Sequence, residues 1–142
     1  MQYWLIKSEP SCWSWDDHVK VGVEPWNGVR NHQAAKYMKA MENGDLAFFY
    51  HSVNEKKVVG VVEVVKQAYI DPTDPAGKFV CVDFKAVAPV NTPVSLADIR
   101  ANPALEDMAL LRQSRLSVCA VTQAQWDEIL HMANGIGEKV GA

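Results

Sequence analysis

The spacing of apolar residues changes along the chain, and each change marks an element. Tyr3 to Ile6 is a short apolar run closed by Lys7-Ser8-Glu9-Pro10, which predicts a strand ending in a loop. Ser14 before Trp15-Asp16-Asp17 predicts an N-cap and a short helix with acids in its first turn. Gly22 to Asn31 reads as a loop carrying Pro25, Trp26 and Gly28. Ala34, Tyr37, Met38 and Met41 then fall at i, i+3, i+4 and i+7, predicting a helix over about 31–42 that Asn43-Gly44 ends.

Beyond Gly44 the period becomes two. Leu46, Phe48 and Tyr50 alternate with Ala47, Phe49 and His51, and Val58 to Tyr69 is a Val-rich run that Gly60 should bend. Asp71 to Gly77 is dense in turn formers and should join two strands. Phe79 to Val87 predicts the next strand, closed by Pro89 and Pro93. Ser95 caps a short helix to about Arg100, and residues 103–113 read as loop or one helical turn. Leu116 to Val121 is the last strand. Thr122 and Gln125 form a capping-box pattern for a final helix whose buried stripe includes Trp126, Ile129, Leu130 and Ala133. Gly135-Ile136-Gly137 reads as a frayed tail. The expected core includes Leu5, Leu46, Val62, Val64, Val82, Phe84, Val118, Trp126 and Leu130.

This order predicts an α+β fold: a small, partly open, mostly antiparallel curved β-barrel or strongly curved sheet of about five or six strands with flanking helices. The 142 residues fit one domain, 1–142. An apolar share of 49% and a charged share of 22% are ordinary for a globular chain, which argues against disorder or coiled coil. No apolar run reaches the roughly 20 residues of a membrane helix. Cys12, Cys81 and Cys119 are odd in number and widely spaced, so a reduced, cytoplasmic setting is the expectation.

Charge narrows the partner. Lys plus Arg is 14 against 17 Asp plus Glu, a net charge of −3, which excludes a general polyanion coat but not a local basic groove. No CxxC, HxxxH or HExxH is present, so no metal site is expected. GxSxG, GxxxxGK[ST] and GxGxxG are also absent, so neither a hydrolase elbow nor a phosphate cradle is expected.

Four polar and aromatic clusters stand at element ends, where sites form. They are Lys7-Ser8-Glu9, then Trp26-Asn27 with Arg30-Asn31, then Phe48 to His51, and Arg112 with Arg115. A nucleobase needs a flat stacking surface and edge hydrogen bonds, and its phosphate needs cations. Each cluster also has a plainer reading. Trp26 fits a barrel plug as well as a stacking platform. Arg30 fits a carbonyl cap or a surface ion pair. At least one of Phe48 and Tyr50 belongs to the core, His51 suits a loop hydrogen bond, and Arg112 and Arg115 suit solvated charges.

Longer segments add a family signal. Tyr3 to Pro10, Trp26 to Ala34, Gly44 to Ser52, Gly60 to Val65 and Leu110 to Val118 together resemble the EVE domain family, in order and across the chain. The resemblance implies a PUA-like fold and recognition of a modified base in DNA or RNA, with no catalysis and no cofactor. EVE domains are similar to YTH domains, which hold methylated adenine in an aromatic cage. Lys7-Ser8 and Trp26-Asn27 match the YTH stretches that contact the base, so the resemblance makes Trp26 a cage wall. Asn27 stands where YTH proteins usually carry Ser. Phe48, Tyr50 and Trp13 are candidates for a second wall. The competing expectation is a small enzyme acting on a nucleotide or related metabolite, with Glu9 or His51 as acid–base. A weaker one is an interaction domain using exposed tryptophans.

Overall fold

The computed structural model describes residues 1–141. Strand β1 (Tyr3–Ser8) leads to helix α1 (Trp15–Val21), strand β2 (Val23–Pro25) and helix α2 (His32–Ala40). Strands β3 (Leu46–His51), β4 (Lys57–Ile70) and β5 (Val80–Ser95) follow, then helix α3 (Leu96–Ala101), a 3-10 turn (Pro103–Leu105) and helix α4 (Ala109–Arg112). Strand β6 (Val118–Val121) and helix α5 (Gln123–Met132) end the series.

The caps form as their residue types require. Ser14 Oγ accepts from Asp17 N–H while Asp17 accepts from Ser14 N–H, and Thr122 and Gln125 make the same reciprocal pair on α5. Asn31 caps α2 by accepting from Ala34 N–H at 2.9 Å.

The six strands form one sheet in the order β2-β5-β4-β3-β1-β6. This is the α+β architecture the sequence predicts, with three corrections. First, β1 and β3 run parallel, because the chain crosses over through α1, β2 and α2 before it returns. Second, of a partly open barrel and a curved sheet, the open sheet is what forms: strand pairing does not close it. Its edges are β2 and β6, and α2 packs on β6 and on β5 and β4, spanning the gap with buried Ala34, Ala35 and Met38. Register shifts in the β3–β4 and β4–β5 pairs supply the curl. Third, β5 runs through Pro89 and Pro93 to Ser95. Its pairing with β4 lapses between Pro89 and Val94, so Pro93 falls where no ladder hydrogen bond is needed.

Two smaller corrections follow. β2 has only three residues, too few for a period-two pattern to show. The Gly135–Gly137 segment is not frayed: Asn91 N–H donates to Gly135 O at 2.9 Å and Gly137 N–H to Pro89 O at 2.7 Å, alongside a Val90–Ile136 bridge.

The buried apolar residues form one cluster around Phe48, Phe49, Phe84, Leu5, Ile6 and Met38. Of the expected core, Leu46 and Leu130 are only half-buried, and the others are buried. Gly60 is needed by packing. A Cβ there would stand 2.6 Å from the buried Trp15 ring, which lies against the strand.

Candidate nucleic-acid interface

The ends of β1 and β2 open onto the same side of the molecule. Between them lies a cleft of about 490 Å³, lined by Lys7, Ser8, Glu9 and Trp13 from the first segment. Glu24, Trp26, Asn27, Gly28, Arg30 and Asn31 line it from the second, and Ser117 from the approach to β6. Trp13 and Trp26 are both half-buried.

Backbone and side-chain bonds fix the two indoles. Trp26 N–H donates to Val82 O at 2.8 Å, anchoring the residue beside β5. Its ring meets Phe49 at 5.6 Å and Phe84 at 6.0 Å, both edge-to-face. Ser8 Oγ donates to the Trp13 carbonyl. Trp13 Nε1–H donates to His18 Nδ1 at 3.1 Å. An indole N–H can only donate, so Nδ1 accepts and the imidazole proton sits on Nε2. That nitrogen lies 2.9 Å from Phe84 O, which can only accept. His18 is therefore a neutral, fully buried spacer behind the cleft, and burial lowers its pKa from the ordinary value. Its ring lies 6.1 Å from that of Trp13 and 6.0 Å from that of Trp26.

The loop carrying Trp26 is tied down by Asp71, whose side chain is wholly buried. Asp71 Oδ2 accepts from Gly28 N–H at 2.8 Å and from Arg30 Nη1 at 3.1 Å. Its other oxygen accepts from Thr73 N–H at 2.7 Å and Thr73 Oγ1 at 2.6 Å. Burial pushes this carboxyl up, but the bonds from Thr73, Gly28 and Arg30 outweigh it and hold the pKa down to about 2. Gly28 has φ of +81°, a conformation that favours glycine, so its N–H can turn to the carboxylate. Arg30 also donates to Thr73 Oγ1 at 3.0 Å and lies 5.5 Å from the Phe79 ring centre.

The structure thus gathers Lys7, Ser8, Glu9, Trp26, Asn27, Arg30 and Asn31 on one cleft. It does not bring the remaining candidates there. Phe48 is fully buried and stacks on Trp126 with ring centres 3.9 Å apart, so it is core. Tyr50 is buried on a separate depression that shares Lys7 with the cleft. His51 is committed on both sides: Nε2 accepts from Trp15 N–H at 3.0 Å and Nδ1 donates to Glu55 at 3.0 Å. Arg112 and Arg115 line an adjoining depression of about 340 Å³ that shares Asn31 with the cleft. The four cations Lys7, Arg30, Arg112 and Arg115 therefore divide, the first two on the cleft and the last two on the adjoining depression. Arg112 is further engaged by Asp107 at 3.0 Å, and Arg30 by Asp71. Lys7 donates to Ser114 O at 2.9 Å, and burial lowers its pKa.

Asp71 and His18 are not legible in the sequence as parts of this site. Asp71 lies in a turn-forming run, 43 residues from Gly28, and nothing local signals its partners. His18 carries one weak signal, its place five residues after Trp13 within the first helix. Among the described residues, no group of three His, Cys, Asp or Glu side chains is placed to hold a metal ion, and no helix is long and apolar enough to cross a membrane. The three cysteines are free thiols, Cys12 exposed and the other two buried.

The cleft thus stands at the strand ends of an open, curved α+β sheet. The EVE domain profile matches residues 2–132, and the chain belongs to the EVE domain family. It is 33% identical to thymocyte nuclear protein 1 of Danio rerio, over 92% of this chain and 71% of that protein. The NMR structure of a Rhodopseudomonas palustris protein superposes with a TM-score of 0.90 at 54% identity, covering 94% of each chain. A crystal structure of human thymocyte nuclear protein 1 in complex with DNA containing 5-methylcytosine superposes with a TM-score of 0.87 at 30% identity, covering 94% of this chain and 98% of that one.

Proposed function

We propose that residues 1–142 act as one non-catalytic module that takes a modified base of DNA or RNA into the cleft and stacks it on Trp26. Trp13 supplies the second aromatic surface. The observation that carries this reading is the convergence of two half-buried indoles with Lys7, Asn27 and two carboxylates on one 490 Å³ cleft. Base–aromatic stacking contributes about 1–3 kcal/mol per base. Asn27 offers donors and an acceptor to a base edge. Glu9 and Glu24 accept from an exocyclic amine, which favours cytosine or adenine over uracil or thymine. The human relative makes 5-methylcytosine DNA the first ligand to test. A methyl group buried against apolar rings adds about 0.8 kcal/mol, close to fourfold in affinity.

The alternative, an enzyme with Glu9 or His51 as acid–base, has less support. Both nitrogens of His51 are already engaged, and Glu9 is exposed with Ser11 Oγ as its one side-chain partner among the described residues, at 3.1 Å. We infer a reducing, cytoplasmic setting from the free thiols.

Tryptophan-fluorescence titration with methylated and unmethylated oligonucleotides tests the reading. Saturable quenching, at least several-fold tighter for the methylated strand and lost in Trp26→Ala but partly kept in Trp26→Phe, is expected. Equal binding by Trp26→Ala, with circular dichroism showing both proteins folded, overturns it. Conversion of the bound nucleotide would favour the enzyme.

A further inference from the structure

Lys7 also lines the depression that holds Tyr50, about 290 Å³ in volume and without Trp26 in its lining. Its polar lining is Lys7, Lys56 and Arg100 with Tyr50, Ser52 and Ser114, and no carboxylate lines it. Three cations gathered without an acid are unexpected in a chain of net charge −3. Among the described residues none of the three is in a salt bridge; the acid nearest in sequence to Lys56, Glu55, is spent on His51 and Lys57. The fold holds them together. Lys56 is presented from the β3–β4 loop with φ of +50°, and Arg100 from the last turn of α3. Tyr50, 3% exposed, reaches the depression from the end of β3, and no hydrogen bond within the described residues engages its hydroxyl.

Like charges crowded in a concavity repel, and an anion relieves that repulsion. The guanidinium of Arg100 presents a planar fork that matches phosphate oxygens, lysines add point charges, and hydroxyls add donors. We propose that this depression binds a phosphate group: the phosphodiester beside the base held in the cleft, with Lys7 as the shared wall. The strand part rests on the base-binding reading above; the anion site itself rests on its own lining. A free phosphate or a mononucleotide offers the same chemistry, so the test separates the sources.

The site is read with amide chemical shifts on the whole chain, titrated with inorganic phosphate, in the parent and in Lys56→Gln/Arg100→Gln. Both residues are exposed, and neither lines the base cleft. Saturable shifts around 52–57 and 100 that vanish in the double variant are expected. Their absence in the parent overturns the site. The source is read from the salt dependence of single-stranded oligonucleotide binding. Loss of one contact should make the log–log slope shallower by about 0.7 and weaken binding several-fold, while quenching by the free methylated nucleoside stays as in the parent. Phosphate shifts with an unchanged slope overturn the strand and leave a free-phosphate site. Phosphate shifts without any nucleoside quenching in the parent would sink the base cleft alone. Lys56→Gln by itself serves if the pair perturbs folding.

Discussion

Two aromatic groups face each other across β3, and they are packed in opposite ways. On one side Tyr3, Trp126 and Phe48 stack nearly parallel, with ring centres 4.5 and 3.9 Å apart and interplanar angles of 22° and 20°. On the other side Trp13, His18, Trp26, Phe49 and Phe84 meet at tilted or edge-on angles, from 49° to 90°. The first group uses up the faces of its central rings on each other and pins α5 to β1 and β3. The second is propped by hydrogen bonds through His18 and leaves two indoles half-buried on a cleft. A stack closes a surface, and an edge-on cluster held by polar struts keeps one open.

Removing one tryptophan from each group gives the largest contrast. Trp126 is buried, so Trp126→Ala should cost about 3–5 kcal/mol, as large-to-small core changes do. Trp26 is half-buried, so Trp26→Ala should cost less, about 2 kcal/mol, by the same scale. Urea unfolding measures both. Ligand binding by the folded fraction should survive in Trp126→Ala and disappear in Trp26→Ala. If Trp26→Ala proves the more destabilising, Trp26 is a plug and the comparison fails.

The next test removes the strut that holds the Trp26 loop. Asp71→Asn takes away a buried charge that accepts from Gly28, Arg30 and Thr73. Charge-assisted bonds of this kind contribute about 1.5–3 kcal/mol, and a loss within that range is expected. Binding should weaken as the loop loosens, although Asp71 does not line the cleft. The acid limb carries the same signature. Because the native pKa is about 2, the stabilisation is complete above the ordinary value of 3.8 and is lost as pH falls from there toward 2. The Asp71→Asn variant should lack that part of the acid transition. Unchanged ligand affinity in this variant would mean that the loop holds its shape without the clamp.

What can be read from the sequence divides along the same line. The caps at Ser14, Ser95 and Thr122, the α2 stripe and the alternation of β3 are local patterns, and they form as local patterns should. Lys7-Ser8 and Trp26-Asn27 are visible as polar strand ends with an indole. Phe48 misleads because alternation shows that a residue shares a face with Tyr50 but not whether that face meets solvent or α5. Arg30 is legible as a cation, yet its charge is committed to Asp71, a partner 41 residues away. The parallel β1–β3 pairing and the α2-spanned gap depend on how distant segments cross, which no window of residues contains. The strand ends are local; the struts from His18 to Phe84 and from Asp71 to Gly28 behind them are long-range.

The smallest expected effect comes from His18, and it has a definite sign. His18 is buried and neutral, accepting from Trp13 and donating to Phe84 O, and burial lowers its pKa below the ordinary 6.5. The unfolded chain therefore binds this proton at a pH where the folded chain does not. Stability then rises with pH in that window, with a slope of at most about 1.4 kcal/mol per pH unit for one proton. The contribution is complete above pH 6.5 and is lost as pH falls from 6.5 toward the lower folded value. A protonated Nδ1 cannot accept from the Trp13 indole, so the same window should release that ring and change its fluorescence. The stacked Tyr3–Trp126–Phe48 group has no imidazole strut and should not respond. Urea midpoints between pH 8 and pH 5, with Trp13→Phe to assign the optical signal, measure both effects. In His18→Gln this part of the slope should vanish. A parent and a His18→Gln variant with the same pH profile would show that the strut is not held by a neutral imidazole.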